Sequence, residues 1–444
     1  MPSRALKPSV IATLGLLAGG HSQAADWNSR WQQEWAGTQD HRSQKMESLL
    51  DVEWNGNPTG QLAITAIVRL RLDTADQLND DQQRPENFSN LSAPLARGEH
   101  GELSLRELYA DAEWFNSYWR IGKQQVVWGQ ADGLKVLDVV TPQSYREFIL
   151  DDFDDSRIPL WMINAEVPVG EEGILQLLWI PDTTYHELAA PGTDFAITTP
   201  LRVPQPPTST TAFITGVDQL EADKPDHWLT DSDFGVRYSV FANGWDITLN
   251  YLYHYRDFAV NYQTLNNGQL TVAPQYERSH LLGATASNAF GDWTLRTEVG
   301  WYSHSYHLAD TITADGQHQG IAESPELSSV IGLDFQGWSD TFISVQWFQS
   351  LLLDYDDHVT RDRQDHTLTL LAERRFANET WTLSLRGQYS LNQRDQLWRP
   401  RLSHLFTSNI ELWLGADFFQ GDSDGLYGQF DQRDRITIGF EWGF

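Results

Sequence analysis

Charged residues that could select a solute are concentrated in the run Asp151-Asp152-Phe153-Asp154-Asp155, which Arg157 follows closely. Three kinds of chemistry suit this run: an acidic constriction that favours cations or polar solutes, a divalent-ion site, or a loop that pairs internally with arginines. The run lacks the glycine-spaced ligand pattern of a calcium-binding loop. We therefore expect internal pairing with arginines and a position along a pore.

A second set of charges recurs in segments where apolar and polar residues alternate. If the apolar residues face lipid, the opposite face lines a lumen that holds both signs of charge. We assign ten residues to this pore lining: Arg69, Arg71, Glu107, Asp111, Arg120, Lys123, Arg237, Arg296, Glu298 and Arg386. A ladder of arginines would favour carboxylates, phosphates or sulfates. Alternatively, these positive and negative side chains neutralise one another between neighbouring strands. The sequence does not decide between a solute-selecting ladder and such pairing.

Catalytic and metal chemistry is not indicated. The 13 histidines are scattered, and no Ser/His/Asp spacing predicts a nucleophile with its base. His304 and His307, with Tyr302 and Tyr306, could form a metal or catalytic patch, although a solvated loop edge is the simpler interpretation. We expect no enzyme activity, no catalytic or metal residues and no cofactor.

The elements that would position these charges are strands. In the last ten residues, Ile436, Ile438, Phe440, Trp442 and Phe444 share one face, as a lipid-facing strand requires. The sequence predicts an all-β, transmembrane, antiparallel up-and-down β-barrel of about eighteen strands, with sixteen as the alternative. The predicted strands lie at 27–36, 44–54, 62–72, 102–115, 117–128, 158–168, 173–180, 233–242, 245–255, 277–290, 293–301, 326–336, 340–353, 366–376, 381–391, 397–406, 410–418 and 435–444.

The connections between these segments alternate in length. Every second connection is a tight turn, such as Asn243-Gly244 or Gly291-Asp292, whereas most of the others are long and polar. Short periplasmic turns opposite long extracellular loops are typical of outer-membrane barrels, and an even strand number puts both termini in the periplasm. The longest external loop, 181–232, is rich in proline.

The third external loop, 129–157, is unusually apolar and is expected to fold back into the lumen and narrow it. Thr141-Pro142 within it predicts the start of a helix. We assign nine charged residues to this constriction loop: Asp132, Asp138, Arg146, Glu147, Asp151, Asp152, Asp154, Asp155 and Arg157.

The N-terminus indicates the compartment. Arg4 and Lys7 precede a short apolar run and a small-x-small pattern that ends at Ala24, which predicts a signal peptide at 1–24 and a mature barrel at 25–444. There is no cysteine, so no disulfide is expected. A net charge of −30 excludes nucleic acid as a partner. The expected location is the bacterial outer membrane.

The densest motifs carry a resemblance to a known family. They are Arg106-Glu107-Leu108-Tyr109, Gly122-Lys123-Gln124-Gln125-Val126-Val127-Trp128-Gly129, Leu137-Asp138-Val139-Val140-Thr141-Pro142 and Asp154-Asp155-Ser156-Arg157-Ile158-Pro159-Leu160-Trp161. This stretch resembles the domain-of-unknown-function 1302 (DUF1302) family of Gram-negative outer-membrane barrels. Lys123 replaces the arginine that is usual in the family, which keeps the charge but loses bidentate geometry. The resemblance implies an outer-membrane barrel with a hydrophobic or lipid-like cargo as one option.

Together these features predict a porin-like channel that passes a small or amphiphilic solute through a loop-narrowed barrel. The alternative is the outer-membrane component of a system that exports or transfers lipids or hydrophobic compounds, with a periplasmic lipid-binding carrier or an inner-membrane exporter as partner. Adhesion through loop 181–232 is a third option. Outer-membrane lipid, lipopolysaccharide and, during biogenesis, the barrel assembly machinery are the other expected partners.

Overall fold

The computed structural model describes residues 25–38, 40, 42–75, 87–205, 214–312 and 319–444. The predicted signal peptide, residues 1–24, lies outside the described residues. Eighteen long strands form one sheet in which each strand pairs with its neighbour along the chain. The strands are β1 (Asp26–Thr38), β2 (Ser43–Gly56), β3 (Leu62–Asp73), β4 (Gly101–Trp114), β5 (Ser117–Gln124), β6 (Leu160–Val169), β7 (Gly173–Ile180), β8 (Asp233–Ala242), β9 (Trp245–Tyr255), β10 (Arg278–Phe290), β11 (Trp293–Ile312), β12 (Gln319–Phe335), β13 (Thr341–Leu352), β14 (Gln364–Phe376), β15 (Trp381–Ser390), β16 (Gln396–Thr407), β17 (Ile410–Gln420) and β18 (Arg435–Gly443).

The sheet closes on itself because β18 pairs antiparallel with β1, from Arg30 opposite Gly443 to Thr38 opposite Arg435. All neighbouring pairs around the ring are antiparallel, and a short extra strand, Ala96–Gly98, pairs with β4. Closure pairs the backbone groups of every strand with a neighbour and leaves no edge exposed to lipid. The predicted transmembrane β-barrel of eighteen strands is confirmed.

The two faces of the wall follow the predicted alternation. In β18, Ile436 and Ile438 are exposed on the outside, whereas Arg435 and Thr437 are buried within the barrel. Aromatic rings cluster where strands meet the short turns; the ring of Trp293 lies 4.5 Å from that of Phe335, which in turn lies 5.2 Å from Trp338. Amphipathic rings at this height are typical of the membrane interface.

The loops depart from the sequence prediction in three places. Strand β11 continues to Ile312 and strand β12 begins at Gln319. Much of the predicted loop 305–325 is therefore a hairpin rather than irregular chain. Val260–Asn266 and Gln269–Gln275 form two further strands that pair with each other, and the second of them also pairs with Gly216–Gln219 in a small separate sheet. No helix begins at Thr141; the Thr141 hydroxyl is bonded instead to the backbone of Val126 at 3.0 and 3.1 Å.

The described residues contain one α-helical turn, Phe153–Ser156, and a 3₁₀ helix, Gly428–Arg433, both in loops. Within that part of the chain, no helix has the length and apolar character needed to cross a membrane.

Candidate functional site

The connection between β5 and β6, residues 125–159, lies inside the barrel and is called the inner loop below. Its polar contacts reach strands on opposite sides of the wall. They join Gln130 to Glu298 of β11, Asp132 to Gln346 of β13 at 3.0 Å, Gly133 to Gln388 of β15 at 3.1 Å, Arg146 to Glu47 of β2 at 2.7 Å, and Asp155 to Arg69 of β3 at 2.6 Å. A segment that touches opposite walls of a closed barrel must cross its lumen.

One half of the inner loop packs against the wall without a gap. Leu137 and Trp128 are fully buried and join an apolar cluster with inward-facing wall residues such as Leu252 and Leu281. Two wall glycines make room: a Cβ at Gly283 would lie 2.4 Å from a methyl carbon of Leu137, and one at Gly235 would lie 2.9 Å from the Trp128 ring. This side of the lumen is closed by apolar packing.

The tip of the inner loop is held to the opposite wall by buried charges. Glu147 lies 2.5 Å from Lys45 of β2 and 3.0 Å from Arg435 of β18. Burial alone would raise the pKa of Glu147, but Lys45 and Arg435 hold it below its ordinary value. Asp151 lacks such close partners, with Lys45 at 3.8 Å, and burial together with the charge of Glu147 raises its pKa to about 6.

An open space remains between the inner loop and strands β14 to β16. This cavity, of about 490 Å³, has carboxylates on the inner-loop side and arginines mainly on the wall. Asp152 and Arg386, both among its lining residues, form an ion pair of 2.9 Å, and both side chains are 53% exposed. Burial would raise the pKa of Asp152, but Arg386 lowers it below its ordinary value. The remaining charged lining residues are Arg30, Asp132, Asp151, Asp154, Asp155, Arg157 and Arg399.

The predicted pore-lining residues divide into three groups by contact. Some pair within the wall: Arg120 with Asp111 at 2.7 Å, Arg69 with Asp51 at 2.7 Å, and Arg71 with Glu47 at 3.6 Å. Others hold the inner loop: Arg296 contacts Asp132, Glu298 accepts from the Gln130 N–H, Arg237 donates to the Val127 carbonyl, and Glu107 accepts from Gln125. Arg386 alone of the ten is among the residues that line the 490 Å³ cavity.

Lys123 differs from the prediction. It pairs in register with Trp161 and Leu108, on the face opposite to Gly122 and Gln124, so its side chain points away from the lumen. Its ammonium nitrogen lies 3.4 Å from the Ser92 carbonyl, beneath an external segment. Within its motif, Lys123 therefore points to the outer side of the wall, whereas Gly122 and Gln124 face the lumen.

The nine predicted charges of the constriction loop all lie on the inner loop, and they serve different contacts. Asp138 binds Arg157 at 2.8 Å, which also binds Asp154, so these three stabilise the loop itself. Arg146, Glu147 and Asp155 bind the wall, while Asp152 and Asp154 are the most exposed to the open space.

Several residues of the site were missed by the sequence prediction. Lys45, Glu47 and Asp51 occupy the inward positions of β2 and hold the inner loop or its wall partners, and their spacing of two and four residues was the signal. Arg399, by contrast, was not missed, because the strand alternation predicts that it faces the lumen. There it binds Asp417 at 2.9 Å and donates to the carbonyls of Ile149 and Leu150. In contrast, nothing in the strand pattern indicates the external residues that cover the tip.

These covering residues come from two external connections. Phe195, from the chain after β7, and Tyr427 and Phe430, from the chain after β17, pack with Phe148 of the inner loop. The aromatic cluster lies beside the 490 Å³ cavity, because Leu397 of β16 belongs to both.

Among the described residues, three that could together hold a metal ion are Asp226, His227 and Asp231, in an exposed loop away from the lumen. His304 and His307 do not converge: His304 lies 3.5 Å from Glu323 and His307 lies 3.8 Å from Glu326.

The fold is similar to that of solved outer-membrane channels. OpdK of Pseudomonas aeruginosa, solved with vanillate, has a TM-score of 0.53 at 9% identity, over 96% of this chain and 100% of that one. OccK8 (OprE) of the same organism has a TM-score of 0.52 at 10% identity, over 96% and 99% of the two chains. These likenesses show the barrel fold. No curated protein matches the sequence significantly.

The family model for "Protein of unknown function (DUF1302)" matches residues 55–444, nearly the whole chain. The resemblance seen in the motifs is thereby confirmed, and the protein belongs to the DUF1302 family.

Proposed function

We propose that the protein is a porin-like channel of the bacterial outer membrane, narrowed by its inner loop, that passes a small or amphiphilic solute by diffusion. One observation carries the proposal: the inner loop crosses the lumen and leaves beside it a cavity lined by charges of both signs. An eighteen-stranded barrel has a lumen too wide for its own wall side chains to fill, so an inner segment determines its free width.

The charges suggest how solutes are selected. Asp151, Asp152 and Asp154 lie on the inner-loop side, and Arg386 and Arg399 lie on the wall side. The facing rows set up a field across the opening, which favours solutes that carry separated charges or a polar end. Asp152 and Arg386 are half exposed, so a solute can replace each as the other's partner.

The experiment is conductance of the purified protein in planar bilayers. We expect steady, ohmic conductance that increases when residues 134–150 are replaced by a short Gly-Ser linker, because this segment lies within the lumen and packs against its wall. Folding of the variant is checked by its resistance to unheated SDS, and Phe406→Ala at the periplasmic rim serves as a control substitution. Absence of conductance from folded wild-type protein would refute the channel.

A second candidate is supported by the periplasmic turn between β4 and β5. Phe115 has a positive φ of 53° and is 95% exposed, in a turn position where Asn or Gly is favoured. An apolar ring that is both strained and exposed indicates a contact with another body. We propose a periplasmic lipid-binding carrier, or an inner-membrane exporter, that delivers cargo to the barrel as the alternative function.

Phe115→Asn tests this alternative. The substitution relieves the backbone strain, so the barrel is expected to be slightly more stable, by about 0.5–1 kcal/mol. If a carrier docks there, export of hydrophobic compounds falls while ion conductance is unchanged. Unchanged export would assign the ring to membrane lipid. We propose membrane lipid and, at the external rim, lipopolysaccharide as contacts of the aromatic rims. The barrel assembly machinery would then remain the expected periplasmic partner during biogenesis.

A further inference from the structure

Residues 189–199, called the covering segment, lie over the tip of the inner loop. Phe195 in this segment has no exposed surface. Its ring centroid is 5.6 Å from that of Phe430 and 6.4 Å from that of Phe419, and the Arg435 guanidinium lies 5.3 Å below it. The ring therefore fills a pocket whose walls are aromatic and whose floor is cationic.

Asp194, which precedes Phe195 in the chain, places a carboxylate beside the aromatic pocket. Asp194 accepts two hydrogen bonds of 2.8 Å from Arg42, in the first external connection, and lies 3.0 Å from Arg433, in the last one. The Asp194 side chain is 5% exposed, whereas the two arginines are partly open to solvent. Two guanidinium groups from opposite ends of the chain thus converge on one carboxylate beside the aromatic pocket.

The covering segment is attached to the rest of the mouth by few other polar contacts. The N–H groups of Thr198 and Thr199 donate to the Gln429 side-chain oxygen at 2.7 and 3.1 Å, and the Thr199 hydroxyl donates to the Asp424 carbonyl. In contrast, the chain after β17 is fixed firmly, because the Asp395 carboxylate accepts from the N–H groups of Tyr427 and Gly428. The chain after β17 is therefore held by hydrogen bonds that do not involve the covering segment.

We propose that Asp194-Phe195 occupies a solute site at the external mouth, and that the site takes an aromatic carboxylate, which displaces the covering segment. The inference rests on the proposed channel function and names the substrate class. The solute ring replaces Phe195 against Phe419 and Phe430, and its carboxylate replaces Asp194 between Arg42 and Arg433. Leu397 belongs to both the aromatic cluster and the lining of the 490 Å³ cavity, so this site lies next to the opening.

Binding of benzoate to the folded, detergent-solubilised protein tests the site without relying on conductance. In equilibrium dialysis, Phe195→Ala is expected to bind benzoate about tenfold more tightly than wild type, because the protein's own ring no longer competes for the pocket. Adding Arg433→Gln to that variant should weaken binding about tenfold, since one charge-assisted contact is lost. Benzyl alcohol, which has the ring without the carboxylate, should bind weakly to all variants.

Phe406→Ala, which removes an exposed ring at the opposite rim, is the matched control and should leave benzoate affinity unchanged. Equal benzoate affinity in wild type, Phe195→Ala and the double variant would overturn the site, as would equal binding of benzyl alcohol. These results separate the two proposals. Benzoate binding without conductance would refute the channel but not the site. Conductance together with no effect of Phe195→Ala on benzoate binding would refute the site but not the channel.

Discussion

At the scale of single residues, the lumen is a set of paired charges with a few exposed members. Arg69 is bound to Asp51 and Asp155, and its side chain is only 5% exposed. Among the described residues, Arg386 makes one ion pair, with Asp152, and both side chains are half exposed. The sequence identified both arginines as inward facing, because alternation determines the face of a strand. It could not tell which of them is buried by the inner loop, because that depends on contacts between residues far apart in the chain.

Exchanging Arg386 and Arg69 in turn for glutamine should have different effects. Arg386→Gln removes an exposed positive charge from the opening, so the permeability ratio should move about twofold toward cations. Arg69→Gln leaves two buried carboxylates short of a partner and should lower the free energy of unfolding by about 3–5 kcal/mol. Reversal potentials in a salt gradient and urea unfolding measure the two effects. A selectivity change confined to Arg69→Gln would contradict this assignment.

Asp151 should make stability depend on pH. Its pKa is raised to about 6 by burial and by Glu147, above the ordinary value for aspartate. The folded protein therefore binds this proton more tightly than the unfolded chain, so the contribution of Asp151 is favourable at low pH and is lost as pH rises from about 4 through 6. Asp151→Asn should stabilise the protein more at pH 7 than at pH 4.5, as measured by the temperature at which the folded band is lost. A gain that is equal at both pH values would show that the pKa of Asp151 is not raised in the folded protein.

At the scale of elements, the strands were predictable, whereas the paths of the loops were not. The sequence of a strand such as β9 predicts its structure locally, because apolar residues that face lipid must alternate with residues that face the lumen. The inner loop was predicted to fold inward from its apolar residues, but its path depends on specific wall contacts such as Leu137 against Gly283. The Thr141-Pro142 pattern suits a helix start, yet the bonds between Thr141 and Val126 compete successfully for the same groups.

The contact between Gly283 and Leu137 offers a test of how the inner loop is anchored. Gly283→Val introduces a side chain where a methyl carbon of Leu137 already lies, so we expect a loss of about 1–3 kcal/mol in stability. Leu137→Ala alone should also destabilise, by about 2–5 kcal/mol. The double variant should lose less than the sum of the two, since Leu137→Ala opens the space that the valine side chain then fills. Additive losses in urea unfolding would show that the two positions are not in contact.

At the scale of the whole molecule, the barrel depends on closing its first strand against its last. β1 and β18 are far apart in sequence and pair along nine positions, from Arg30 to Thr38. The rings of Trp31 and Phe440 support this junction with centroids 5.0 Å apart. Every other neighbouring pair is joined by a connection in the chain, so this junction carries the largest entropic cost of closure.

Phe444 should therefore stabilise the barrel mainly through its backbone hydrogen bonds at this junction, although its side chain is exposed. The Ser29 N–H donates to the Phe444 carbonyl at 2.8 Å, and the Phe444 N–H donates to the Ser29 carbonyl at 2.9 Å. The Phe444 ring lies 4.6 Å from that of Trp442, at the membrane rim.

Phe444→Ala keeps both hydrogen bonds and loses only the ring contact, so we expect a loss of about 0.5–1.5 kcal/mol in the free energy of unfolding. Deleting Phe444 also removes the two hydrogen bonds that extend the junction, and the loss should be about 1–3 kcal/mol greater. Urea unfolding in micelles separates the variants, with Phe406→Ala at the same rim as the matched control. If the deletion and Phe444→Ala prove equally stable, the last residue acts through its ring alone and the junction is complete without it.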